Sequence, residues 1–363
     1  STALHTRSAP AVGYSRSATA AGARGRMMSA FLLSVTMQAS LTASWQPVPA
    51  EDAWQRTART SSPPRSGPTA SADQAGNVWL FGGYAEPEGK PRHVVNDLLR
   101  YDGSGWQQLQ EPIDVTLKGG RVRDNRPGPR LATASCVVGD EMLVFGGWDP
   151  QTPGTGGVIL DDVWSLSLAK QTWRRLAAPM PGGPASRHVV CNVGGTVILH
   201  TFRCLDSVLV WDAASETLKE QPTSGTPPSS RGLHVAAAAD GHTLVVFGGA
   251  AKDGQMVNDA FALDTRSWEW RPLAAGAGER PSPRAGACAA PLPCGRGIVV
   301  CCGAEAGGEG LVPRADVWAL TLDDSGGGEW SLLLGEDAPN APGPRNAATL
   351  SPVGSGGLLL HGG

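Results

Sequence analysis

Residues 141–148 read EMLVFGGW, an apolar run from Met142 to Phe145 closed by two glycines and an aromatic. A glycine pair at a strand end costs conformational entropy and offers neighbours nothing to pack against. The word nevertheless returns, at Phe81-Gly82-Gly83 and at Phe247-Gly248-Gly249. Weaker copies stand at Cys301-Cys302-Gly303 and His361-Gly362-Gly363, and VILHTF (197–202) holds the same place with both glycines lost. Gly82, Gly83, Gly146, Gly147, Gly248 and Gly249 therefore belong to an internal repeat, which must be read before any single motif.

Other landmarks recur around the word in fixed order. Upstream lies an arginine after prolines or serines: Arg65, Arg130, Arg187, Arg231, Arg284 and Arg345, spaced 65, 57, 44, 53 and 61 residues apart. Downstream an Asp precedes an apolar strand, at Asp97, Asp162, Asp259, Asp316 and, more loosely, Asp206. Each unit closes on W-x-x-L, beginning at Trp106, Trp173, Trp270 and Trp330; the third unit has Leu218 instead. Gly or Asp-Gly turns separate the apolar runs, so each unit reads as four short antiparallel strands, a to d, with the glycine pair ending strand b.

Four strands about every 50 residues, with a late Trp and a glycine pair, resemble the kelch motif of β-propellers over roughly residues 60–363. The resemblance implies an all-β propeller, here of six blades with seven as the alternative, in which the glycine pair sits where neighbouring backbone crowds the strand end. Kelch propellers usually close by borrowing a strand from one terminus. Residues 41–48, LTASWQPV, fit a strand d for the last blade, which otherwise stops at its strand b. This divides the chain into an N-terminal arm (1–40) and a propeller (41–363), with a strand c still to be found.

Composition agrees with many short strands: Gly 48, Pro 29 and only 17% charged residues. A net charge of −3 provides no field to recruit nucleic acid or an anionic membrane. The seven cysteines include no C-x-x-C, and the adjacent Cys301-Cys302 pair is a poor frame for a metal cage. They read as small buried strand residues, so neither metal nor cofactor is expected. Residues 1–50 hold no acid and four arginines, the composition of an organelle transit segment. The eleven-residue apolar run MMSAFLLSVTM (27–37) is too short to span a bilayer and reads as a presequence remnant or as an arm that docks on a partner. A plastid or mitochondrial location follows from that reading, with the cytoplasm as alternative.

Chemistry finds little purchase. A galactose-oxidase-type copper site needs two tyrosine ligands, and only Tyr14, Tyr84 and Tyr101 exist. Ser71 to Trp79 approaches a sialidase box, with glycine and tryptophan one place late. No G-x-S-x-G, H-E-x-x-H or P-loop is present. The repeat arginines fit an anion-holding ring or, better, ion pairs that lock the blades. His188 and His234 read as packing residues.

Antiparallel order puts the b–c and d–a loops on one face, and these loops are the long ones. Binding loops belong on such a face. Blade one is basic there, with Lys90, Arg92 and His93 in one loop and Lys118, Arg121, Arg123 and Arg126 in the next; Tyr84 and Trp148 stand at loop roots as aromatic anchors. The reading is a non-catalytic protein-interaction scaffold, an accessory subunit of a larger hetero-complex whose partner presents an acidic surface. The alternative is an enzyme or a carbohydrate or small-molecule binder with a central-channel site. No BTB or F-box pattern precedes the repeats, which argues against a ubiquitin-ligase adaptor.

Overall fold

The computed structural model describes residues 30–37, 41–48, 64–85, 92–112, 125–150, 156–273, 278–323, 327–354 and 357–363. Every regular element among them is a β-strand; the strands form six four-stranded antiparallel blades, with the short strand Ser224–Gly225 added in parallel at the outer edge of the fourth and a separate hairpin at 304–313. In blade 1, strand a is Thr69–Ala72, b Val78–Ala85, c His93–Tyr101 and d Trp106–Gln110. Blade 2 has Ala134–Val138, Glu141–Asp149, Val158–Ser167 and Thr172–Arg175 in the same order. Blade 3 has Val189–Val193, Thr196–His200, Ser207–Asp212 and Thr217–Pro222. Blade 4 has Val235–Ala238, Thr243–Phe247, Ala260–Asp264 and Glu269–Leu273. Blade 5 has Cys288–Pro291, Gly297–Cys301, Val317–Leu322 and Gly328–Leu334.

Blade 6 joins the two ends of the chain. Its strands a and b are Ala348–Val353 and Gly357–Gly362; its strands c and d are Ala30–Met37 and Leu41–Pro47. Phe31 lies opposite Leu360 and Leu33 opposite Leu358, while Trp45 lies opposite Leu33. The apolar run that sequence assigns to an outlying arm is thus, from Ala30 onward, the missing strand c. A strand covered on both faces is a near-continuous apolar run, which periodicity cannot tell from a helix or a signal core. Residues 1–29 lie outside the described residues.

Closure is visible in the backbone. Six left-handed residues, Gly67, Ala132, Arg187, Leu233, Gly286 and Ala347, begin the six blades. Each donates its amide to the carbonyl of the preceding one, and Gly67 completes the circle on Ala347 at 2.8 Å. Outside this circle the second glycine of each pair bonds the next blade, as in Gly83 N to Arg130 O and Gly363 N to Arg65 O, both 2.8 Å. A Cβ on Gly82 would stand 2.8 Å from that same Arg130 oxygen, and one on Gly146 2.6 Å from Ala185 O. Blade-to-blade crowding therefore excludes any side chain, which answers why an apolar strand ends on two glycines.

The repeat arginines hold each blade together from within. Arg65 donates to both carboxylate oxygens of Asp97 at 2.8 and 3.0 Å, and to the Gly82 carbonyl at 3.0 Å. Arg130 with Asp162, Arg231 with Asp259 and Arg284 with Asp316 repeat this fork. Asn96 and Asn258, one place before their aspartates, donate to Pro127 O and Pro281 O and tie strand c to the following loop. Burial alone would raise the Asp162 and Asp316 carboxyls, but the hydrogen bonds and charge of Arg130 and Arg284 hold both below the ordinary value.

Arg187 departs from this scheme. Its side chain is exposed, and its backbone occupies the left-handed position two residues beyond the arginine site. Ala185 stands at that site instead: its carbonyl accepts from Gly147 as Arg130's does from Gly83. The 44-residue spacing, shortest of the five, is the signal in the sequence; counted from residue 185 it becomes 46 and its neighbour 55.

Aromatic packing joins the blades in one direction. Trp173 lies 5.0 Å from Phe81, Trp330 4.9 Å from Phe247, Trp106 4.7 Å from His361 and Trp270 5.7 Å from His200, centroid to centroid. Each tryptophan covers the aromatic of the blade before it at the position preceding the glycine pair, or preceding Thr201-Phe202 in blade 3. Such pairs add about 0.5–1.5 kcal/mol beyond area burial.

Candidate interaction face

The six strands a line a central channel of about 440 Å³ whose walls include Ala70, Ser71, Ser135, Ala236, Ala290 and Ser351. Thr69 and Ser71 each share a 2.7 Å hydrogen bond with Ser135. The carboxylate at its mouth, Asp73, is committed: it accepts from the amides of Ala75 and Asn77, from Asn77 Nδ2 and from Trp79 Nε1. The sialidase-like stretch is thus a hairpin turn built around Asp73. Burial pushes the Cys136 and Cys191 thiols up to about 12, so neither is a thiolate nucleophile. Among the described residues, the small apolar walls and the hydrogen-bonded hydroxyls of Thr69, Ser71 and Ser135 assemble no acid–base pair.

The b–c and d–a face is different in kind. In blade 1, Tyr84 closes strand b opposite Val94, and the Arg92 guanidinium lies over its ring at 4.7 Å. Arg92 also donates to Ser66 Oγ at 3.0 Å. His93 opens strand c, half-buried. Arg126 donates to the Glu111 carbonyl at 2.9 Å and ties the end of the d–a loop to its beginning. In blade 2, Trp148 exchanges backbone hydrogen bonds with Leu131, and a Cβ on Gly157 would strike its indole. Lys90, Lys118, Arg121 and Arg123 lie outside the described residues.

Blade 3 adds what sequence reading missed. Its b–c connection is the short turn 201–206, and it exposes Phe202 and Leu205 to 43% and 50%. Arg203 lies over the Phe202 ring at 4.3 Å and donates to Pro184 O. Ile159, opposite Trp148 in blade 2, is also exposed. In blade 5 the b–c connection folds as a hairpin, Ala304–Gly307 with Gly310–Pro313, whose tip bares Leu311 and Val312. Among the described residues, four of the six large exposed apolar side chains thus sit on b–c connections; Ile159 is at the start of strand c of blade 2, and Leu332 is on strand d of blade 5. Loss of the glycines from VILHTF marked this loop in the sequence. Exposure of an apolar side chain depends on what fails to cover it, and a single sequence does not carry that information.

The face therefore carries bare aromatic and aliphatic groups together with two arginines stacked on rings, Arg92 on Tyr84 and Arg203 on Phe202. Cations held over ring faces keep their charge available while pre-ordering both side chains. A surface of this composition suits a protein partner, since aromatic residues and arginine are the groups enriched at interface cores.

Comparison with known proteins bears on the same point. The family described as the KLHDC2/KLHL20/DRC7 Kelch-repeats domain matches residues 40–203 and 185–363. The chain is 33% identical over 261 residues to the putative adagio-like protein 2 of Oryza sativa subsp. japonica, covering 65% of this chain and 38% of that protein. It is 33% identical over 233 residues to Adagio protein 3 of Arabidopsis thaliana, covering 57% and 36%. Acyl-CoA-binding domain-containing protein 4 of Arabidopsis thaliana matches at 30% over 179 residues, 44% of this chain and 25% of that one. The chain thus spans under two fifths of the length of these relatives. Among solved structures, "Structure of YjhT" aligns with a TM-score of 0.58 at 15% identity, over 83% of this chain and 94% of that one, a likeness of fold.

Proposed function

The chain belongs to the kelch-repeat family, and from that premise we propose that it is a non-catalytic interaction scaffold which grips a protein partner through the b–c and d–a loops of blades 1 to 3. The observation that carries this is the run of stacked pairs and bare apolar groups on one face: Arg92 on Tyr84, Ile159 beside Trp148, Arg203 on Phe202, and Leu205. Among the described residues, the channel offers no comparable convergence of reactive groups. The basic loop residues Lys90, Lys118, Arg121 and Arg123, with Arg92, Arg126 and Arg203, favour a partner whose contacting surface is acidic. The acid-free, arginine-bearing residues 1–29 support an accessory-subunit role in an organellar hetero-complex. Among the described residues no helix is long and apolar enough to cross a membrane.

The test is affinity purification of the full chain from gently lysed source tissue, with native mass and protein identification of the eluate. Wild type is expected to elute with stoichiometric companions that the triple variant Arg92→Glu, Phe202→Asp, Leu205→Asp loses. The control Leu332→Asp, equally exposed but on an outer strand, keeps them. A wild-type monomer, or equal retention by both variants, sinks the proposal.

A further inference from the structure

Blade 5 breaks the repeat at three places at once, and the three replacements are all cysteine. Cys301 stands where blades 1, 2 and 4 have Phe81, Phe145 and Phe247, and Cys302 where they have Gly82, Gly146 and Gly248. Cys288, directly opposite Cys301 on the neighbouring strand, replaces Thr69, Ala134 or Val235. All three are buried, and their sulfurs lie within 4.8 Å of one another, with Cys288 and Cys301 3.4 Å apart. Adjacent residues of a strand normally point to opposite faces. Cys302 escapes that rule because its φ is +63°, in the left-handed region, and this turns its sulfur back toward Cys301.

That backbone conformation disfavours a side chain at this place. At the matching glycines an added Cβ would meet a carbonyl of the next blade at 2.8 Å (Gly82), 2.6 Å (Gly146) and 2.9 Å (Gly248). A non-glycine residue held in the left-handed region at such a crowded point is strain retained against the repeat's own solution, and strain of this kind accompanies sites. The nearby charge is unusual too. Arg345 is the sixth repeat arginine; it donates to the carbonyls of Gly343 and Gly362, and no carboxylate pairs with it among the described residues. Trp45 and Leu33 of blade 6 belong to the same apolar cluster and exclude water.

We propose that Cys288, Cys301 and Cys302 form a three-sulfur site for a soft, thiophilic metal ion of the copper(I) class. Three sulfurs around an ion at bond lengths of about 2.3 Å lie about 4 Å apart in a trigonal plane, so the cluster needs only small adjustments. Thiolate sets select copper(I), zinc or iron–sulfur clusters. Structural zinc takes four ligands, and no fourth His, Cys, Asp or Glu ligand joins these three among the described residues. A disulfide would employ two sulfurs and leave the strained Cys302 without a purpose. Binding displaces thiol protons to solvent and leaves the oxidation states of sulfur and metal unchanged.

The probe is copper(I) alone, supplied without oxygen to the reduced full chain, both to the native protein and during refolding, because buried ligands are reached by opening. Bathocuproine disulfonate serves as the competing chelator, and X-ray absorption reads the ligand shell. One copper(I) per chain is expected to resist the chelator, with three sulfur neighbours at about 2.3 Å. The decisive variant is Cys302→Gly, which restores the repeat's ordinary residue. It is expected to fold, to melt above the metal-free wild type and to bind copper(I) at least 100-fold more weakly. Unchanged copper retention in that variant overturns the proposal. So does a wild type that binds no stoichiometric copper, whether it stays reduced or closes a Cys288–Cys301 disulfide with a glutathione redox buffer.

Discussion

Blade 3 and the four blades that carry the arginine–aspartate fork solve the same packing problem by opposite means. In blades 1, 2, 4 and 5 a buried arginine forks onto an aspartate and a strand-end carbonyl. In blade 3 the register puts Ala185 at the arginine, Ser207 at the aspartate, Thr201 and Phe202 at the glycines and Leu218 at the tryptophan. Met180, Leu176, Leu209 and Leu218 fill the space with an apolar cluster around Ala185, and Trp211 on strand c meets Phe145 at 6.2 Å. The lesson is energetic. One partner of a buried ion pair cannot be dropped alone, because the other is then a buried unpaired charge; both dropped together cost little. In blade 3 the repeat is therefore lost as a set.

The largest effect expected is a test of that rule on Arg65 and Asp97, whose side chains are 0% and 4% exposed. Arg65→Ala or Asp97→Ser alone is expected to destabilise by about 3–5 kcal/mol. The double change, which copies blade 3, should cost well under the sum of the two. Urea unfolding of the three variants gives the coupling energy directly. Additive losses would mean that blade 3 is stable for other reasons. The same cycle on Arg231 and Asp259 is expected to show weaker coupling, because Asp259 is 43% exposed.

Blade 3 also brings histidine into the core. His200, at the phenylalanine position, shares a 3.0 Å hydrogen bond with His234 of blade 4. Burial pushes His200 down to about 3 and His188 to about 4, and it lowers His234 as well. A folded-state pKa below the unfolded value means the unfolded chain takes up protons first. Stability is then full above about pH 6.5 and falls as pH drops toward the folded values. Tenfold in proton affinity is about 1.4 kcal/mol, so each of His188 and His200 removes roughly 2–3 kcal/mol by pH 4.5. That window lies above the titration of Asp162 and Asp316, whose depressed pKa values move their losses to lower pH. His200→Phe, the residue of the other blades, should flatten the slope of urea midpoints between pH 7 and 4.5. An unchanged slope would place the acid sensitivity outside the blade 3–4 boundary.

The glycine pair supplies a smaller contrast. Gly146→Ala puts a Cβ against Ala185 O and Met180 Cε at a φ of +48°, and a loss of about 2–3 kcal/mol is expected. Thr201 holds the corresponding place in blade 3 and is not left-handed, so Thr201→Ala should cost about 1 kcal/mol or less. Comparable melting shifts for the two would show that the crowding read at Gly146 relaxes freely.

Legibility followed repetition. The glycines, tryptophans, aspartates and five of six arginines were readable because a propeller states its packing rule several times, so agreement among copies replaces the alignment a single sequence lacks. Arg187 misled because blade 3 keeps the R-H look of the motif while its backbone is two residues out of step. Strand c of blade 6 was invisible as such: its partner lies more than 300 residues away, and an apolar run covered on both faces has no period to read. Loop length places Tyr84, Arg92 and Trp148 on the candidate face, whereas placing Phe202 and Leu205 there requires knowing that the blade 3 turn is short. The convergence of the three cysteines was not legible, because adjacent strand residues point to opposite faces and only the left-handed φ at Cys302 brings its sulfur toward Cys301.

The smallest expected effect asks whether blade 3 needs anything at its rim in place of the lost fork. Arg174, on strand d of blade 2, makes a bidentate pair with Glu216 in the blade 3 c–d turn at 2.7 and 2.8 Å, and lies 3.5 Å from Glu141. Both partners are 47% exposed. Hydrogen bonding to Arg174 lowers the Glu216 carboxyl, yet solvent screening keeps such a pair below about 1 kcal/mol. Arg174→Gln is therefore expected to shift the urea midpoint only slightly, and the shift should vanish in high salt. A loss that persists in high salt, and that grows when Leu218→Ala loosens the core beneath, would mean that the surface pair fastens blade 3 to blade 2. A small, salt-screened loss leaves the apolar cluster around Met180 and Leu218 as the sufficient replacement for a buried arginine.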